Sequence, residues 1–478
     1  MKKEPFSNKQ TFGVIVTTRS FFPSHLVKGA RKGIVDLLEK LGHDYVMVGE
    51  EDTEYGAVMT LGEAKTCAEL FSRRRADISG IIVVLPNFGE ELGVSEAIDR
   101  AGLNVPVLIQ ACDDDFDKLD MANRRDAFCG KISLCNNLYQ RGIAFTGTTL
   151  HTCPIDSPEF EADVRRFASI CNVIRGLCGS RIAMLGARPV AFNTVRFSEK
   201  ILQKHGISTQ TIDLSEVIAA AQCEKSFDPA DVAAKEAEIR AYGRIPDYID
   251  APKVTKQAKL CLAMEKFVTD LDCQASTVQC WDSLNLNYGC AACLGMSMMG
   301  DKGKPGACES DVTGALSMLA AQLASNAPTA LMDWNNNIRD DRNACISLHC
   351  SNFPKGFFRN EEMEISNLDV LGSVLGDEVT FGACKAQVAP GPMTFVRITT
   401  DDAQGVMKAY VGEGSFESEK VPTKGGVAFC RVSNLQQLMH YVCGNGYEHH
   451  VCFARGHVAD ILQEALGKYM GISVHRHM

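Results

Sequence analysis

Two carboxylates and up to three histidines stand at the edges of apolar runs in this sequence, and their types suit metal-assisted proton transfer. Glu309 lies in residues 305–311 (PGACESD), after a glycine-rich turn and just before a strongly apolar stretch. A carboxylate there meets the positive end of a helix dipole, which favours its ionised form; the plainer reading is an ordinary helix-start acid. Asp333 closes the run 329–333 (TALMD), at the kind of strand end where open α/β sheets gather ligands, or it caps the following turn. His349 follows another short apolar run (SLHC), as a ligand or as a hydrogen-bonded core histidine. His449 and His450 lead into the strand-like VCFA. Adjacent strand residues point to opposite faces, so at most one of the two is expected to face a given site. Mixed oxygen and imidazole ligands suit Mn²⁺ and similar ions. Such an ion acts as a Lewis acid on a hydroxyl–carbonyl pair while a carboxylate moves the proton. The four positions are far apart in sequence and match no short metal motif.

Other chemistry-bearing motifs carry less. Cys290 and Cys293 form a CAAC spacing, but no second CxxC completes a zinc site, and the context is not that of a redox helix; a packing role is expected. There is neither a GxGxxG nor a GxxxxGK[ST], so no nucleotide cofactor is expected. The basic run at 72–75 (SRRR) reads as a solvated helix end.

The elements that must position these residues follow an α/β grammar. Strands are predicted at 12–17, 44–48, 80–85 and 105–110, and helices at 24–41, 61–75 and 93–101. Continuous apolar strands separated by amphipathic helices imply a parallel sheet covered on both faces. The pattern restarts near residue 180, with strands at 181–185, 208–213 and 275–281 and helices at 192–205, 229–242 and 254–271. A strongly apolar helix at 311–324 and the strand 329–333 follow. After about residue 350, short strands at 379–386, 393–399 and 407–412, split by Pro-Gly and Gly-rich turns, read as antiparallel β, with a last helix at 458–468. The expected fold class is therefore α/β: two doubly wound parallel-sheet domains, 1–177 and 178–350, followed by a β-rich, barrel-like C-terminal domain, 351–478. The second would carry the acidic ligands and the third the histidine.

The chain has 478 residues, against a prior of about 150 per domain. Its hydrophobic (45%) and charged (23%) fractions are those of a globular protein and exclude bulk disorder. The net charge of −10 argues against nucleic acid as a partner. No apolar run reaches the roughly 18 residues of a membrane span, and no secretory signal is seen at the start of the sequence. The 20 cysteines lie mostly inside apolar segments and read as reduced, packed thiols. A cytoplasmic location, with no membrane partner, is expected.

The run Gln279-Cys280-Trp281, followed by GCAACLGMSMMGDKGKPGACESDVTGALSMLA, MDWNN, LHCSNFP and EHHV, resembles the L-fucose/L-arabinose isomerase family. The likeness covers most of the chain and is strongest over 277–354; the chain is shorter than a typical fucose isomerase after residue 350. The resemblance implies aldose–ketose isomerisation through a cis-enediolate, with a divalent metal, usually Mn²⁺. It matches Glu309 and Asp333 to the catalytic and metal-ligating acids, and His449 to the histidine ligand, with His450 as the register alternative. His349 matches a histidine that is either a ligand or lies behind the ligands. Gln279 and Trp281, at the end of a buried strand, are candidate substrate contacts, with core packing as the plainer reading of Trp281, and the resemblance implies Arg19 as an arginine that reaches a neighbouring subunit's site. A homo-oligomer, hexameric in the family, with sites at subunit boundaries and a monosaccharide substrate is implied as well. Two alternatives stand beside this reading. One is the same chemistry on an acidic, sulfonated hexose, for which Arg19, Arg188 and Arg455 are available cations. The other is a sugar-binding protein without catalysis.

Overall fold

The computed structural model describes residues 6–359 and 363–478. Its contacts divide into two compact units, 8–175 and 176–478, the latter also including the described residues 6–7. In the first, Thr11–Val16 (β1), Asp44–Val46 (β2), Gly80–Leu85 (β3), Val107–Ala111 (β4) and Thr146–Gly147 (β5) form one parallel sheet in the order β2-β1-β3-β4-β5. The side chains alternate as a doubly covered sheet requires. Ile15, Val83 and Ile109 enter one apolar core; Val14, Val84 and Leu108 enter the other. The helices His25–Lys40, Leu61–Arg73 and Glu91–Ala101 lie where the periodicity predicts them. Helices Ala127–Gln140 and Pro158–Leu177 complete the unit.

The second unit begins with a parallel sheet of Arg181–Leu185 (β6), Ser208–Ile212 (β7), Ala275–Val278 (β8) and Gly306–Ala307 (β9), ordered β7-β6-β8-β9. The remaining strands are Thr329–Ile338 (β10), Asp341–His349 (β11), Glu364–Asn367 (β12), Phe381–Gln387 (β13), Gly391–Asp401 (β14), Val406–Phe416 (β15), Gly426–Arg431 (β16), His450–Arg455 (β17) and Ser473–Arg476 (β18). They form a mixed sheet, β12-β13-β16-β11-β10-β17-β14-β15-β18, and a further β15–β16 pairing bends part of it into a ring. Helix Val312–Ser325, buried along nearly its whole length, packs against β8 and β9 of the parallel sheet and against β14 and β17 of the large one. An apolar face all round is what a helix between two layers needs.

Three expectations change. The strand 329–333, placed at the end of the second α/β domain, is the start of β10 and pairs in the large sheet with β11 and β17. The strand expected over 275–281 stops at Val278, and the chain then turns to bring Cys280 and Trp281 against Glu309. The helix expected over 192–205 is only Glu199–Lys204, preceded by an irregular segment with one short turn at Asn193–Val195; Ser198 accepts from the Ile201 N–H and starts the helix there.

Candidate active site

The C-terminal ends of β8 and β9 lie side by side, paired Ser276–Gly306 and Thr277–Ala307. The chain leaving β8 delivers Gln279, Cys280 and Trp281; the chain leaving β9 delivers Cys308 and Glu309. This is the carboxyl edge of a parallel sheet, where ligands collect. Glu309 and Ser310 both take left-handed backbone, φ 56° and 57°, a conformation costly for residues with a Cβ and concentrated at functional sites. Asp311 then caps helix Val312–Ser325 by accepting from the Gly314 N–H at 2.8 Å. A Cβ on Gly314 would lie 2.4 Å from Asp311 Oδ2, so the first turn must be glycine for the cap to fit.

The large sheet supplies the other half. On β10, Asp333 stands in register with His450 of β17 and with Leu348 of β11, the residue before His349. Five side chains converge. His349 Nε2 lies 3.6 Å from Glu309 Oε2. His450 Nε2 lies 3.7 Å from Glu309 Oε2 and 3.7 Å from Asp333 Oδ1. His449 Nε2 lies 3.7 Å from Asp333 Oδ1. These separations exceed hydrogen bonds. Glu309 Oε2 and Asp333 Oδ1 are nonetheless buried with no hydrogen-bond partner, as is His349 Nδ1. Buried polar atoms are rarely left so, and two sets here, Glu309–His349–His450 and Asp333–His449–His450, have the ligand spacing of a metal site. Oxygen and imidazole donors fit a hard or borderline divalent ion.

Each of these groups is held from behind. Trp281 Nε1–H donates to Glu309 Oε1 at 3.0 Å, and the Cys280 thiol stands 3.6 Å from the same oxygen. His450 Nδ1 bonds Asp311 Oδ2 at 2.9 Å; since the carboxylate only accepts, Nδ1 carries the hydrogen and Nε2 is left to face the two free oxygens. Asp311 is itself clamped by Arg397, Nη1 to Oδ2 at 2.6 Å and Nη2 to Oδ1 at 3.0 Å. Arg397 also binds Glu448 and the Thr313 hydroxyl, and Thr399 donates to Glu448. Arg397 and Asp311 are 0% exposed, so the network survives only because every charge in it is paired. Phe192 lies over the site edge-on to Trp281 and His449, at 5.7 and 5.3 Å, and tilted against His450 at 5.7 Å.

The electrostatics separate the titrating groups. Burial pushes the Asp333 carboxyl above its usual range, against the pull of His450 and His449. Burial draws His349 down to about 4, so its ring is neutral at physiological pH. Burial and then His450 lower His449. Burial also opposes charge on His450, but the Asp311 bond and charge, with Glu309 and Asp333, outweigh it and raise its pKa. Asp311 stays well below the carboxylate range despite its burial because Arg397 and His450 face it.

Of the residues singled out in the sequence, Glu309, Asp333, His349, His449, His450 and Trp281 come together. His450 reaches both acids and is 1% exposed, whereas His449 reaches Asp333 alone. Gln279 turns away, its Oε1 accepting from the Ala187 N–H at 3.0 Å. Arg19 belongs to the other unit, where it pairs with Glu90 and Glu91 and lies over the Phe88 ring. Asp311, Arg397, Glu448 and Phe192 were not singled out.

Residues 13–178 match the model of the fucose/sulfoquinovose isomerase N-terminal domain, and residues 347–477 that of the L-fucose isomerase C-terminal domain. Glu309 and Asp333 lie between the two matches; the three histidines lie within the second. A sulfoquinovose isomerase of Alkalicoccus urumqiensis is 24% identical over 200 residues, 41% of this chain and 44% of that protein. One of Priestia megaterium is 22% identical over 323 residues, 66% of this chain and 69% of that protein. One of a Clostridium species is 27% identical over 183 residues, 37% of this chain and 40% of that protein.

Proposed function

The chain belongs to the fucose isomerase-like family, and on that premise we propose that it converts an aldose to its ketose, on a sugar carrying an anionic group, with a divalent cation of the Mn²⁺ type held by Glu309, Asp333 and His450. The observation that carries the reading is the convergence of two unpartnered buried carboxylate oxygens on one imidazole nitrogen whose other nitrogen is locked by Asp311. His450 takes the ligand place that the resemblance gave first to His449. When bound there, the cation polarises the adjacent carbonyl and hydroxyl of the open sugar and stabilises charge on their oxygens. Glu309 and Asp333 take and return the proton that moves between the two carbons. Trp281 and Cys280 hold one oxygen of Glu309 and leave the other free for that work. Phe192 covers the site and excludes water.

The anionic substrate follows from two facts. The relatives named above act, by their names, on sulfoquinovose. The segment that carries Phe192 also carries Arg188 and Arg196, which bond only backbone carbonyls and have no carboxylate partner among the described residues. Arg455 has both Nη atoms taken by the carbonyls of Ala389, Pro390 and Phe357 and its guanidinium over the Phe357 and Phe416 rings, whereas Arg188 and Arg196 each engage a single nitrogen. A homo-oligomer and a cytoplasmic location belong to the same proposal. Helix Ala127–Gln140 presents Phe128, Ile132 and Tyr139 outward, 40%, 55% and 75% exposed, as a face that a second subunit covers. Among the described residues no helix is long and apolar enough to cross a membrane.

The test is a panel of L-fucose, L-arabinose, D-arabinose and a sulfonated hexose, with protein stripped by chelation and then given Mn²⁺ or none. Ketose is expected from the sulfonated hexose only with metal. Glu309→Gln and Asp333→Asn each are expected to lose at least about 10²-fold in kcat while keeping a native circular dichroism spectrum. Preferred turnover of L-fucose would replace the substrate; sugar binding without turnover or metal would replace the reaction.

A further inference from the structure

Beside the oxygen-and-imidazole set stands a second ligand group that shares one member with it. Sγ of Cys280, Sγ of Cys308 and a carboxylate oxygen of Glu309 lie within 4.8 Å of one another, and all three residues are buried. The parallel pairing of β8 with β9 produces the group, because the chain leaves both strands at the same level. Cys280 Sγ stands 3.6 Å from Glu309 Oε1 and accepts from the Glu309 N–H at 3.4 Å. Glu309 thus turns Oε1 to the thiols and Oε2 to His349 and His450. Two sulfur donors and one oxygen favour thiophilic ions such as Zn²⁺ over the hard Mg²⁺ and Mn²⁺ that oxygen and imidazole sets accept. The exposed side of the active site, where Asp333 and His449 are 27% and 41% accessible, is the entry.

We propose that Cys280, Cys308 and Glu309 form an inhibitory site for thiophilic divalent cations, Zn²⁺ and Cd²⁺, which takes Glu309 out of the catalytic set. Binding forms two metal–sulfur bonds, breaks two S–H bonds and releases two protons to solvent; no electron is transferred. The site stands on its own geometry, and only its effect on turnover rests on the isomerase reading.

Chelated full-length protein titrated with Cd²⁺ is expected to develop a sulfur-to-cadmium charge-transfer absorption that saturates at one ion per chain. Cys308→Ser should abolish that band, and Cys345→Ser, altering a buried cysteine of β11, should keep it. Cadmium binding without the band, or a band retained in Cys308→Ser, overturns the site. If the serine variant does not fold, X-ray absorption of the unaltered Zn²⁺-loaded protein decides. Two sulfurs at about 2.3 Å support the site, and a shell of only nitrogen and oxygen at about 2.0–2.2 Å overturns it. In the isomerase assay, Cys308→Ser should raise the inhibitory Cd²⁺ concentration about tenfold or more. Thiolate binding that leaves turnover unchanged would overturn the capture of Glu309. Absence of turnover on every sugar would sink the isomerase reading alone, and the absorption data would still decide the thiol site.

Discussion

Asp311 serves four groups with two oxygens: it caps a helix through Gly314, accepts from the Thr313 hydroxyl, pairs with Arg397 and fixes the tautomer of His450. Partners behind a metal ligand typically set about 10–100-fold of metal affinity. Asp311→Asn, which keeps a good cap, is therefore expected to weaken Mn²⁺ binding by about that factor, read by calorimetric titration of the chelated protein. An unchanged affinity would mean that His450 needs no orienting partner. The same titration separates the two neighbouring histidines: His450→Gln should lose Mn²⁺ binding, and His449→Gln should stay within about tenfold. Arg397→Met would strand the Asp311 and Glu448 charges and should cost about 3–5 kcal/mol in denaturant unfolding. Much of this was legible only in part. Glu309 and Asp333 could be read because acids at the ends of apolar runs stand out one at a time. Arg397 could not, because its partners are 86 and 51 residues away and a single arginine within an apolar strand carries no sign of them. The expectation that at most one of His449 and His450 faces the site fails because the strand begins only at His450: both rings reach Asp333 Oδ1 at 3.7 Å, and His450 alone also reaches Glu309.

At the level of elements, the parallel sheets were legible because buried strands and amphipathic helices have unmistakable periods. Segment 192–205 was not, since Phe192 packs on the histidines instead of on a helix neighbour. How tightly elements must approach is also invisible in a sequence. Gly130, in helix Ala127–Gln140, has room for no side chain: a Cβ there would lie 1.4 Å from the Phe88 carbonyl oxygen. Alanine strengthens an isolated helix by up to about 1 kcal/mol over glycine, so a gain in stability for Gly130→Ala would refute this docking. The expected result is a loss of about 1–3 kcal/mol or more from overpacking. His43, just after helix His25–Lys40, gives the same unit an acid sensitivity. Its Nδ1 accepts from the Gln10 N–H at 3.2 Å, and burial, followed by Arg165, lowers its pKa below the usual value. A histidine whose folded pKa is depressed contributes stability above its unfolded pKa, about 6.5, and loses it as pH falls through the folded value. The melting temperature should therefore drop between pH 7 and pH 5, and His43→Asn should flatten that slope; an equal slope in both would remove His43 as the cause.

The residues proposed to hold the metal and move the proton lie in one of the two units. Every residue assigned here to the metal, the proton transfer or the anionic group lies beyond residue 176. The unit 8–175 buries both faces of its sheet with its own side chains and has the size of an autonomous domain. Residues 8–177, which include the complete helix Pro158–Leu177, are therefore expected to fold alone, with a single cooperative thermal transition and no Mn²⁺ binding above background. Residues 178–478 should bind Mn²⁺ with the affinity of the full chain to within about tenfold, since no ligand and no group behind a ligand has been removed. Turnover should not follow the metal. In the family that this chain belongs to, the resemblance assigns an arginine of the first unit, Arg19, to a neighbouring subunit's site. A fragment that binds Mn²⁺ yet isomerises nothing would give the first unit a part in catalysis, and adding residues 8–177 in trans would measure that part. A fragment as active as the full chain would confine the reaction to the second unit and leave Arg19 with its ion pairs to Glu90 and Glu91 alone.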